Sequence, residues 1–515
     1  MRRTFLSFLA ALSIFTGGVF GQAVKPAASK ANAAPTVAAR QVYAVPFVSK
    51  TLPNGLEVIV LQDSSVPIVT VELAVRNGSF TESPEFHGLS HLYEHMFFKP
   101  NVAAQLYECE KASALRPFAL AANPICSRAM SMRSKIGDTS YLKNAGQVSL
   151  YNGTTREEIV NYYFNTTSPF LATAIRIIND SVRYPSFDEE DFEAEKRVVI
   201  GEIDRHEANP YGYLDLTMKQ KLFFKYPTRK DPKGTRESVG SSTIEKMRVI
   251  QSRYYVPNNS ALIVTGDAKP EEVFKLAEQV MGSWEKRPVD PFKEFPLVEH
   301  PPLPKSEGLI IEKAADASEG AEQGQNVFIE IGWHGPSIGK DDAATYAADV
   351  FSYILSQPNS RFQRKLVDSG LSATAGLGYY TQRNVGPINL LMVTRPENAK
   401  KALAAVYTEV SQFTQPDYFT DEELESAKTI LESNDLFERE KASEYAHTLG
   451  FWWSSTGIDY FRGYHAKLRA VTRADINRYI KTYIQGKNHV GIALASPEAK
   501  KLANLTEQDL IGGAQ

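Results

Sequence analysis

The sequence predicts two copies of one α+β domain, because two pairs of its segments recur at nearly the same distance. The stretches FDEEDFEAEKRVVIGE and FTDEELESAKTILESN begin 232 residues apart and share a Phe, an acidic first turn, an apolar sixth residue and a Lys. The stretches TIEKMRVIQSRYYVPNNSALIVTGDAKPEE and TRADINRYIKTYIQGKNHVGIALASPEA begin 229 residues apart, in the same order. Two weak likenesses at almost one offset indicate an internal repeat.

The composition is that of a globular protein large enough for more than one core. The chain has 515 residues, of which 43% are hydrophobic and 23% are charged. Its net charge of −3 favours neither nucleic acid nor an acidic membrane as a partner. After the N-terminal region, no segment is apolar enough to be expected to span a bilayer.

The N-terminus has the layout of a secretory signal peptide. Arg2 and Arg3 precede an apolar run that ends near Phe20, and small residues follow. We expect residues 1–22 to be the signal and 23–42 a flexible linker, which predicts a periplasmic or secreted protein. The alternative is an uncleaved anchor, for which the run is short because a span needs about 20 apolar residues.

The remaining chain divides at a proline-rich stretch. We predict an N-terminal domain over residues 43–286, a linker over 287–307 and a C-terminal domain over 308–515. Two β-branched runs, Leu56 to Leu61 and Ile68 to Val75, predict adjacent strands at the start of the first domain.

The chain has two cysteines, Cys109 and Cys126. In an exported chain they could form a disulfide, and closing so short a loop would stabilise the fold by about 3 kcal/mol. Two buried free thiols are the alternative. They are too few for a cysteine metal site.

A metal site is predicted in the segment HGLSHLYEHMFFKP. On a helix His91 and His95 lie on one face, where two imidazoles can hold one Zn²⁺, and Glu94 on the neighbouring strip can accept a proton from water. The order His-x-x-Glu-His is the inverzincin pattern. The alternative is a histidine pair satisfied by backbone carbonyls in a core helix, which would leave three ionisable groups needing partners in an apolar setting. A site made of His87 and His91 would leave Glu94 without a role.

The third ligand is predicted in the first copy of the repeat. Glu195 and Glu202 are two helical turns apart and therefore share a face, with Val199 between them. Two carboxylates on an apolar face need a counter-charge, so we expect Glu202 to bind the metal and Glu195 to orient the site. A solvated acidic face is the alternative. The second copy has Ala427 and Asn434 at the matching positions, and DDAATYAADVFSYILSQ contains no histidine.

These residues resemble the insulinase/pitrilysin family of zinc metallopeptidases, most closely the short forms related to mitochondrial processing peptidase and their bacterial relatives. The resemblance covers about residue 45 to the C-terminus. It implies two homologous domains, each an antiparallel-rich sheet covered by helices. It also implies one Zn²⁺ bound by His91, His95 and Glu202, with Glu94 as general base and Glu195 as the supporting carboxylate.

The resemblance also implies how substrate binds. The stretch SLYNGTTREEIVNYYF is similar to the family's edge strand and the segment after it. Asn152 and Gly153 would then help to hold a peptide that adds to the sheet as a further strand. This mode of binding suits extended peptides and excludes folded proteins.

The sequence departs from the family in two places. His95 and Glu202 are separated by 106 residues, more than is usual, which indicates an insertion near residues 100–135 that contains both cysteines. The family's Arg/Tyr pair, which contacts substrate from a metal-free domain, would fall on Leu366 and Ala373. We therefore expect the zinc subunit of a dimer whose related second chain supplies that pair. A misplaced alignment is the alternative, with the roles taken by Arg364, Tyr379 or Tyr380.

The sequence thus predicts an exported zinc endopeptidase. Glu94 would take a proton from water and return it to the leaving amine. One rival is a catalytically silent homologue that binds peptides or scaffolds a partner. Another is a structural zinc protein, which would usually have four protein ligands where we find three.

Overall fold

The computed structural model describes residues 45–115, 123–148, 150–314 and 325–512. The predicted signal peptide and the linker after it lie outside this range. The described residues form one compact unit. None of the helices in these ranges is long and apolar enough to cross a bilayer.

The first sheet has its strands in the order β1-β2-β6-β3-β5-β4. β2 and β6 pair in parallel, and every other neighbouring pair is antiparallel. β4 lies at the edge, with Gly153 opposite Tyr162 and Thr155 opposite Val160. The strands are β1 (Val48–Thr51), β2 (Glu57–Gln62), β3 (Ile68–Val75), β4 (Leu150–Thr155), β5 (Val160–Thr167) and β6 (Ser260–Gly266).

The second sheet repeats this topology without the β1 strand. Its order is β7-β11-β8-β10-β9, and the one parallel pair, β7 with β11, corresponds to β2 with β6. The predicted pair of homologous α+β domains with antiparallel-rich sheets is therefore confirmed. The strands are β7 (Glu307–Glu312), β8 (Val327–His334), β9 (Thr374–Tyr379), β10 (Pro387–Thr394) and β11 (Val490–Ala495).

Helices cover both sheets. In the first repeat they are α1 (Leu89–Phe97), α2 (Val102–Leu115), α3 (Pro124–Ser131), α4 (Arg133–Ile136), α5 (Leu171–Arg183), α6 (Glu189–Ala208), α7 (Pro210–Leu222), α8 (Arg236–Gly240), α9 (Ile244–Tyr254) and α10 (Pro270–Met281), and α11 (Pro291–Glu294) follows in the proline-rich segment. In the second repeat they are α12 (Asp342–Ser356), α13 (Arg361–Gln363), which continues as a π-helix over Arg364–Asp368, α14 (Ala399–Gln412), α15 (Asp421–Arg439), α16 (Ala442–Ser455), α17 (Ile458–Ala470), α18 (Arg473–Tyr483) and α19 (Pro497–Ala503).

The repeated lysine of the sequence has the same structural task in both copies. Lys196 on α6 donates to the Glu193 carboxylate and to the Ser242 carbonyl. Lys428 on α15 donates to the Glu425 carboxylate and to the carbonyl of Arg469. Each lysine is buried, so its charge needs these partners. The lysine thus ties the long helix to the chain shortly before α9 in the first repeat and shortly before α18 in the second.

The two repeats exchange helices across their interface. α16 of the second repeat packs on β3 and β6, and α7 of the first repeat packs on β8 and β11. Glycines permit close contact on both sides: a Cβ at Gly450 would lie 2.5 Å from Glu72, and one at Gly332 would lie 2.6 Å from Met218. The buried apolar side chains of both repeats, such as Ile263 and Leu449, consequently form a shared core. The predicted domain boundaries remain predictions.

The predicted insertion forms a small helical unit between α1 and the edge strand β4. α2 and α3 are joined by a disulfide between Cys109 and Cys126. Val102, Leu106 and Ala129 form a separate small apolar cluster there. The unit thus connects the C-terminal end of one helix of the candidate site to the strand that borders it.

Candidate metal centre

The helix that carries the histidine motif is anchored at its N-terminus by a buried carboxylate. α1 begins after Gly88, whose positive φ of 84° favours glycine, and its cap residue contributes no side-chain hydrogen bond. Glu82 supplies the cap instead, because its carboxylate accepts the backbone N–H groups of Gly88 and Ser90, both at 2.7 Å. Burial raises the pKa of Glu82 to about 7, against the effect of these hydrogen bonds. Glu82 therefore fixes where α1 starts.

Three side chains converge at one point, two from α1 and one from α6. The Glu202 carboxylate lies 3.5 Å from His91 Nε2 and 3.7 Å from His95 Nε2. One ligand atom from each of the three residues lies within 4.8 Å of the others. Ligand atoms around a tetrahedral zinc ion are ~3.3 Å apart, so small side-chain adjustments would suffice to hold Zn²⁺. The donor set of two imidazoles and one carboxylate also leaves a fourth position open.

The Glu195 carboxylate orients the second histidine. His95 Nδ1 donates to Glu195 at 2.8 Å, which leaves Nε2 to face the Glu202 carboxylate. Lys99 Nζ lies 2.6 Å from the other oxygen of Glu195. These hydrogen bonds, with Lys99 contributing more than His95, outweigh desolvation and lower the pKa of Glu195. The predicted supporting carboxylate is therefore in contact with a predicted ligand.

The two imidazoles differ in their protonation. Burial lowers the pKa of His91 to about 3, and the neighbouring His95 charge adds to this effect. Burial also disfavours the charged form of His95, but hydrogen bonds and charges from Glu202, Glu94 and Glu195 prevail and raise its pKa to about 9. A divalent cation would therefore have to displace the proton of His95. It would also bind His91 Nε2, which lies 3.5 Å from the Glu202 carboxylate.

Glu94 lies against the edge strand. It is 9% exposed, and its carboxylate accepts a hydrogen bond from the Thr155 hydroxyl at 2.8 Å. Burial is the largest influence on its pKa, which rises to about 7. The absence of a side chain at Gly153 makes room for it, since a Cβ there would lie 2.7 Å from Glu94 Cγ. A carboxyl group with a pKa near neutrality can both accept and donate a proton.

The two residues predicted to hold substrate lie on opposite faces of β4. Gly153 faces Glu94, whereas its neighbour Asn152, which pairs with Tyr163, projects to the other side of the sheet. Asn152 is exposed, and its side-chain oxygen accepts the Gly153 N–H at 2.9 Å. Among the described residues no strand pairs with the outer edge of β4, next to the candidate metal centre, so Gly153 and its backbone lie where an added strand would pair.

His87 takes part in a different interaction. Its Nε2 lies 3.0 Å from the Asp231 carbonyl and 3.3 Å from the Asp231 carboxylate. Burial disfavours its charged form, but Asp231 outweighs burial and raises the pKa of His87. The cluster of possible metal ligands among the described residues consists of His91, His95 and Glu202, without His87.

The second repeat has the scaffold of the site with different side chains. Ala427 is buried, and Asn434 donates to the Tyr353 hydroxyl at 3.1 Å. Leu366, at the predicted Arg position, is fully buried, and Ala373 is exposed.

The three residues considered as replacements for the Arg/Tyr pair occupy different environments. Arg364 is exposed. The buried Tyr379 donates to the Pro336 carbonyl at 3.0 Å. Tyr380 interacts with the guanidinium of Arg156 from the first repeat.

Sequence reasoning missed Glu82, Thr155 and Lys99. Glu82 carried a readable signal, since a glutamate shortly before a glycine that starts a helix can cap that helix from outside. Thr155 and Lys99 could not be assigned, because their contacts with Glu94 and Glu195 depend on the packing of β4 and α6 against α1.

Comparison with protein families gives two matches. Residues 57–111 and 131–229 match the model described as "Insulinase (Peptidase family M16)". Residues 241–431 match the model described as "Peptidase M16 inactive domain". The stretch between the two parts of the first match, 112–130, falls within the predicted insertion, although Cys109 lies in the matched part.

Curated relatives include proteins named as zinc proteases. The chain is 21% identical over 449 residues to the zinc protease PqqE of Helicobacter pylori, which covers 86% of this chain and 92% of the relative. It is 24% identical over 237 residues to the uncharacterized zinc protease YmxG of Bacillus subtilis, which covers 46% of this chain and 50% of the relative.

Solved structures share the fold. A putative M16-like peptidase from Alicyclobacillus acidocaldarius superposes with a TM-score of 0.70 at 18% identity, covering 88% of this chain and all of that one (100%). The periplasmic protease PqqL of Escherichia coli gives a TM-score of 0.64 at 16% identity, covering 91% of this chain but 50% of PqqL. The first half of PqqL alone gives 0.66 at 15% identity and is covered to 96%.

Proposed function

The chain belongs to the insulinase (M16) family of peptidases, and from this premise we propose that it is a zinc-dependent endopeptidase that hydrolyses extended peptides or unfolded polypeptides. The observation that carries the proposal is the convergence of His91, His95 and Glu202 beside the buried Glu94. Three ligands with an open fourth position are typical of catalytic zinc sites, whereas structural sites usually have four protein ligands.

Glu94 acts as the general base and then as the general acid. Bound Zn²⁺ supplies Lewis acidity, which acidifies water and polarises the substrate carbonyl. Glu94 accepts a proton from the attacking water and later donates it to the leaving amine. Its pKa of about 7 suits both transfers at neutral pH. Thr155 holds the Glu94 carboxylate beside β4 by donating a hydrogen bond to it.

Substrate adds to the sheet along β4. The unpaired edge of this strand offers backbone hydrogen bonds to an extended peptide, and Gly153 brings that peptide close to Glu94. Asn152 stiffens the strand at this point through its bond to the Gly153 N–H, and it faces the opposite side from the metal cluster. Because a folded protein rarely offers a free strand, the substrates are unstructured or extended segments.

The compartment and the partner follow from sequence features. We propose that the protein acts in the periplasm or outside the cell, and the signal-like N-terminal sequence supports this, as does the likeness to PqqL, a periplasmic protease of Escherichia coli. A homodimer would have Leu366 and Ala373 in both chains. This chain matches half the length of PqqL, so we propose that a second, related but different chain completes the active site in a heterodimer. That second chain would supply the Arg/Tyr pair, which is replaced by Leu366 and Ala373 in the present chain.

A catalytically silent, peptide-binding homologue is the second candidate. One observation favours it: Leu366 and Ala373 occupy the positions where an Arg and a Tyr that contact substrate are expected. Against it stands Glu94, since a protein that only binds peptides has no use for a buried carboxylate beside a metal cluster, where burial costs free energy.

Cleavage of a pool of unstructured peptides tests the proposal. The purified protein is compared with its Glu94→Gln variant, with zinc content measured in both. Cleavage by the wild type and none by the zinc-loaded variant supports the proposed base and shows that one chain suffices. If both hold one zinc and neither cuts, even after addition of a related chain that carries the Arg/Tyr pair, the silent homologue replaces the peptidase.

A further inference from the structure

The edge strand β4 presents different chemistry on its two faces. Gly153 and Thr155 face Glu94, as their contacts show. The alternate residues Thr154 and Arg156 face the other side of the sheet. The antiparallel ladder continues to Arg156, whose N–H donates to the Ile159 carbonyl at 2.8 Å, and Ile159 belongs to the core shared with the second repeat. Arg156 therefore lies beside the second repeat, three residues from Gly153.

Polar and aromatic side chains surround the face of the sheet on which Thr154 and Arg156 lie. Tyr163, which pairs with Asn152, contacts the His447 ring of α16 at a centroid distance of 4.3 Å. Tyr380 stacks on Phe451 of the same helix, at 5.9 Å, and its hydroxyl interacts with the Arg156 guanidinium. Both repeats thus contribute to this face of the sheet beside β4.

The loop that carries Tyr380 is held in place by buried charges. The Glu158 carboxylate accepts the N–H groups of Arg383 at 2.9 Å and Asn384 at 3.1 Å. Lys230 donates to the Asn384 carbonyl at 2.6 Å and the Val385 carbonyl at 3.0 Å. Glu158 and Lys230 are both buried, so we expect these bonds to restrict the loop and to preorganise Tyr380 beside Arg156.

Arg156 has no ion-pair partner among the described residues. Its side chain is exposed, and no carboxylate of the described ranges lies within ion-pair distance of its guanidinium, 4.0 Å or less. Besides Tyr380, two carboxylates, Glu157 and Glu72, raise the pKa of Arg156 through their charges, but both bind other groups. Glu72 pairs with His447 and accepts from Asn161 at 2.9 Å, and Glu157 pairs with Lys219 at 3.3 Å. A guanidinium that Tyr380 positions, and that has no carboxylate partner among the described residues, is suited to bind a carboxylate of a peptide at this edge.

We infer that Arg156, held by Tyr380, recognises a carboxylate of the bound peptide. This inference rests on the proposed binding of peptides along β4. In an added strand the residue opposite Gly153 points to the metal cluster, and the residues one and three positions from it point to the Arg156 face. An Asp or Glu side chain at one of these positions would reach the guanidinium. The C-terminal carboxylate of a peptide could bind the same guanidinium in place of an Asp or Glu side chain.

Peptide binding to the zinc-loaded Glu94→Gln variant tests this inference separately from hydrolysis. A set of fluorescent unstructured peptides carries one Glu at successive positions, each with a Gln counterpart, and each is made as a C-terminal acid and as an amide. At one position we expect the change from Glu to Gln to weaken binding about 10- to 100-fold. If amidation of the C-terminus weakens binding and the position of the Glu does not matter, the carboxylate that binds is the C-terminal one.

Substitutions of Arg156 then decide the origin of the preference. We expect Arg156→Gln to remove it, Arg156→Lys to retain part of it, and Arg156→Glu to shift it towards a Lys peptide. Arg395→Gln, a change at an exposed arginine of the second repeat, is the matched control. The gain of Lys binding cannot come from misfolding, and melting temperatures check the remaining variants.

Two results would overturn the inference. One is equal binding of Glu and Gln peptides at every position, and the other is a preference that survives Arg156→Gln. Cleavage by the wild type is measured on the same peptides. Cleavage without carboxylate preference removes the inference and leaves the peptidase, whereas a preference in binding without any cleavage retains the inference and removes hydrolysis.

Discussion

Glu195 is expected to set the zinc affinity although it is not among the proposed ligands. Its carboxylate accepts a hydrogen bond from His95 Nδ1 at 2.8 Å and pairs with Lys99 at 2.6 Å. Glu195→Ala removes both interactions, which lets the imidazole rotate and leaves Lys99 with the more distant Asp191 carboxylate, at 3.9 Å, as its partner. Both side chains of the His95–Glu195 pair are mostly buried, with 16% and 13% exposed, so water replaces the lost bond poorly.

The magnitude follows from the strength of a charge-assisted hydrogen bond. Such a bond contributes about 1.5–3 kcal/mol, which corresponds to a zinc Kd about 10- to 100-fold weaker. Glu195→Gln keeps an oxygen that can accept from His95 and should lose less than the alanine variant. Glu94 and the three proposed ligands are untouched, so the zinc-saturated variant should retain most of its activity.

Competition with a chromogenic zinc chelator measures the affinity. Glu190→Ala is the matched control, because it removes an exposed carboxylate from the same helix. Circular dichroism checks that α6 is intact in all variants. A zinc Kd for Glu195→Ala within about twofold of the Glu190→Ala value would refute the view that the Glu195 bond holds His95 in its ligating orientation.

Three further predictions concern the anchor of α1, proton competition and the disulfide. Glu82→Ala leaves two buried N–H groups without their acceptor and should lower the free energy of unfolding by about 2 kcal/mol, measured by denaturant titration against the exposed control Glu85→Ala. Because the pKa of His95 is raised from 6.5 to about 9 by Glu202, Glu94 and Glu195 against the effect of burial, zinc must displace a proton below that pH. The zinc affinity should therefore rise about tenfold per pH unit from about pH 7 to 9, and a pH-independent affinity would contradict this reasoning. In the metal-free protein the same ion pairs stabilise the fold below pH 6.5, and that stabilisation is lost as the pH rises through about 9. Replacing Cys109 and Cys126 together by Ser opens a loop of 17 residues and should cost about 3 kcal/mol, with wild type under reductant showing the same loss.

The repeat and the histidine motif could be predicted because both depend only on the spacing of residues along the chain. Two histidines four residues apart share a helix face whatever surrounds the helix, so His91 and His95 were paired without a structure. The same holds for Glu195 and Glu202, two turns apart. The offset between the two copies was detectable because matching helices need the same capping residues and the same buried positions. Lys196 and Lys428 illustrate this, since each donates a hydrogen bond to a backbone carbonyl at the corresponding place in its repeat.

Tertiary structure decided which of these faces meet and which residues support them. The distance between His91 and Glu202, 111 positions apart in the chain, depends on α6 packing against α1. The contacts of Thr155 with Glu94 and of Tyr380 with Arg156 join segments 61 and 224 positions apart, and no local pattern encodes them. The exchange of α7 and α16 between the repeats likewise depends on buried apolar area, which is specified by the whole interface and not by either helix alone. Sequence spacing thus determined which side chains form the candidate centre, and long-range packing determined its geometry.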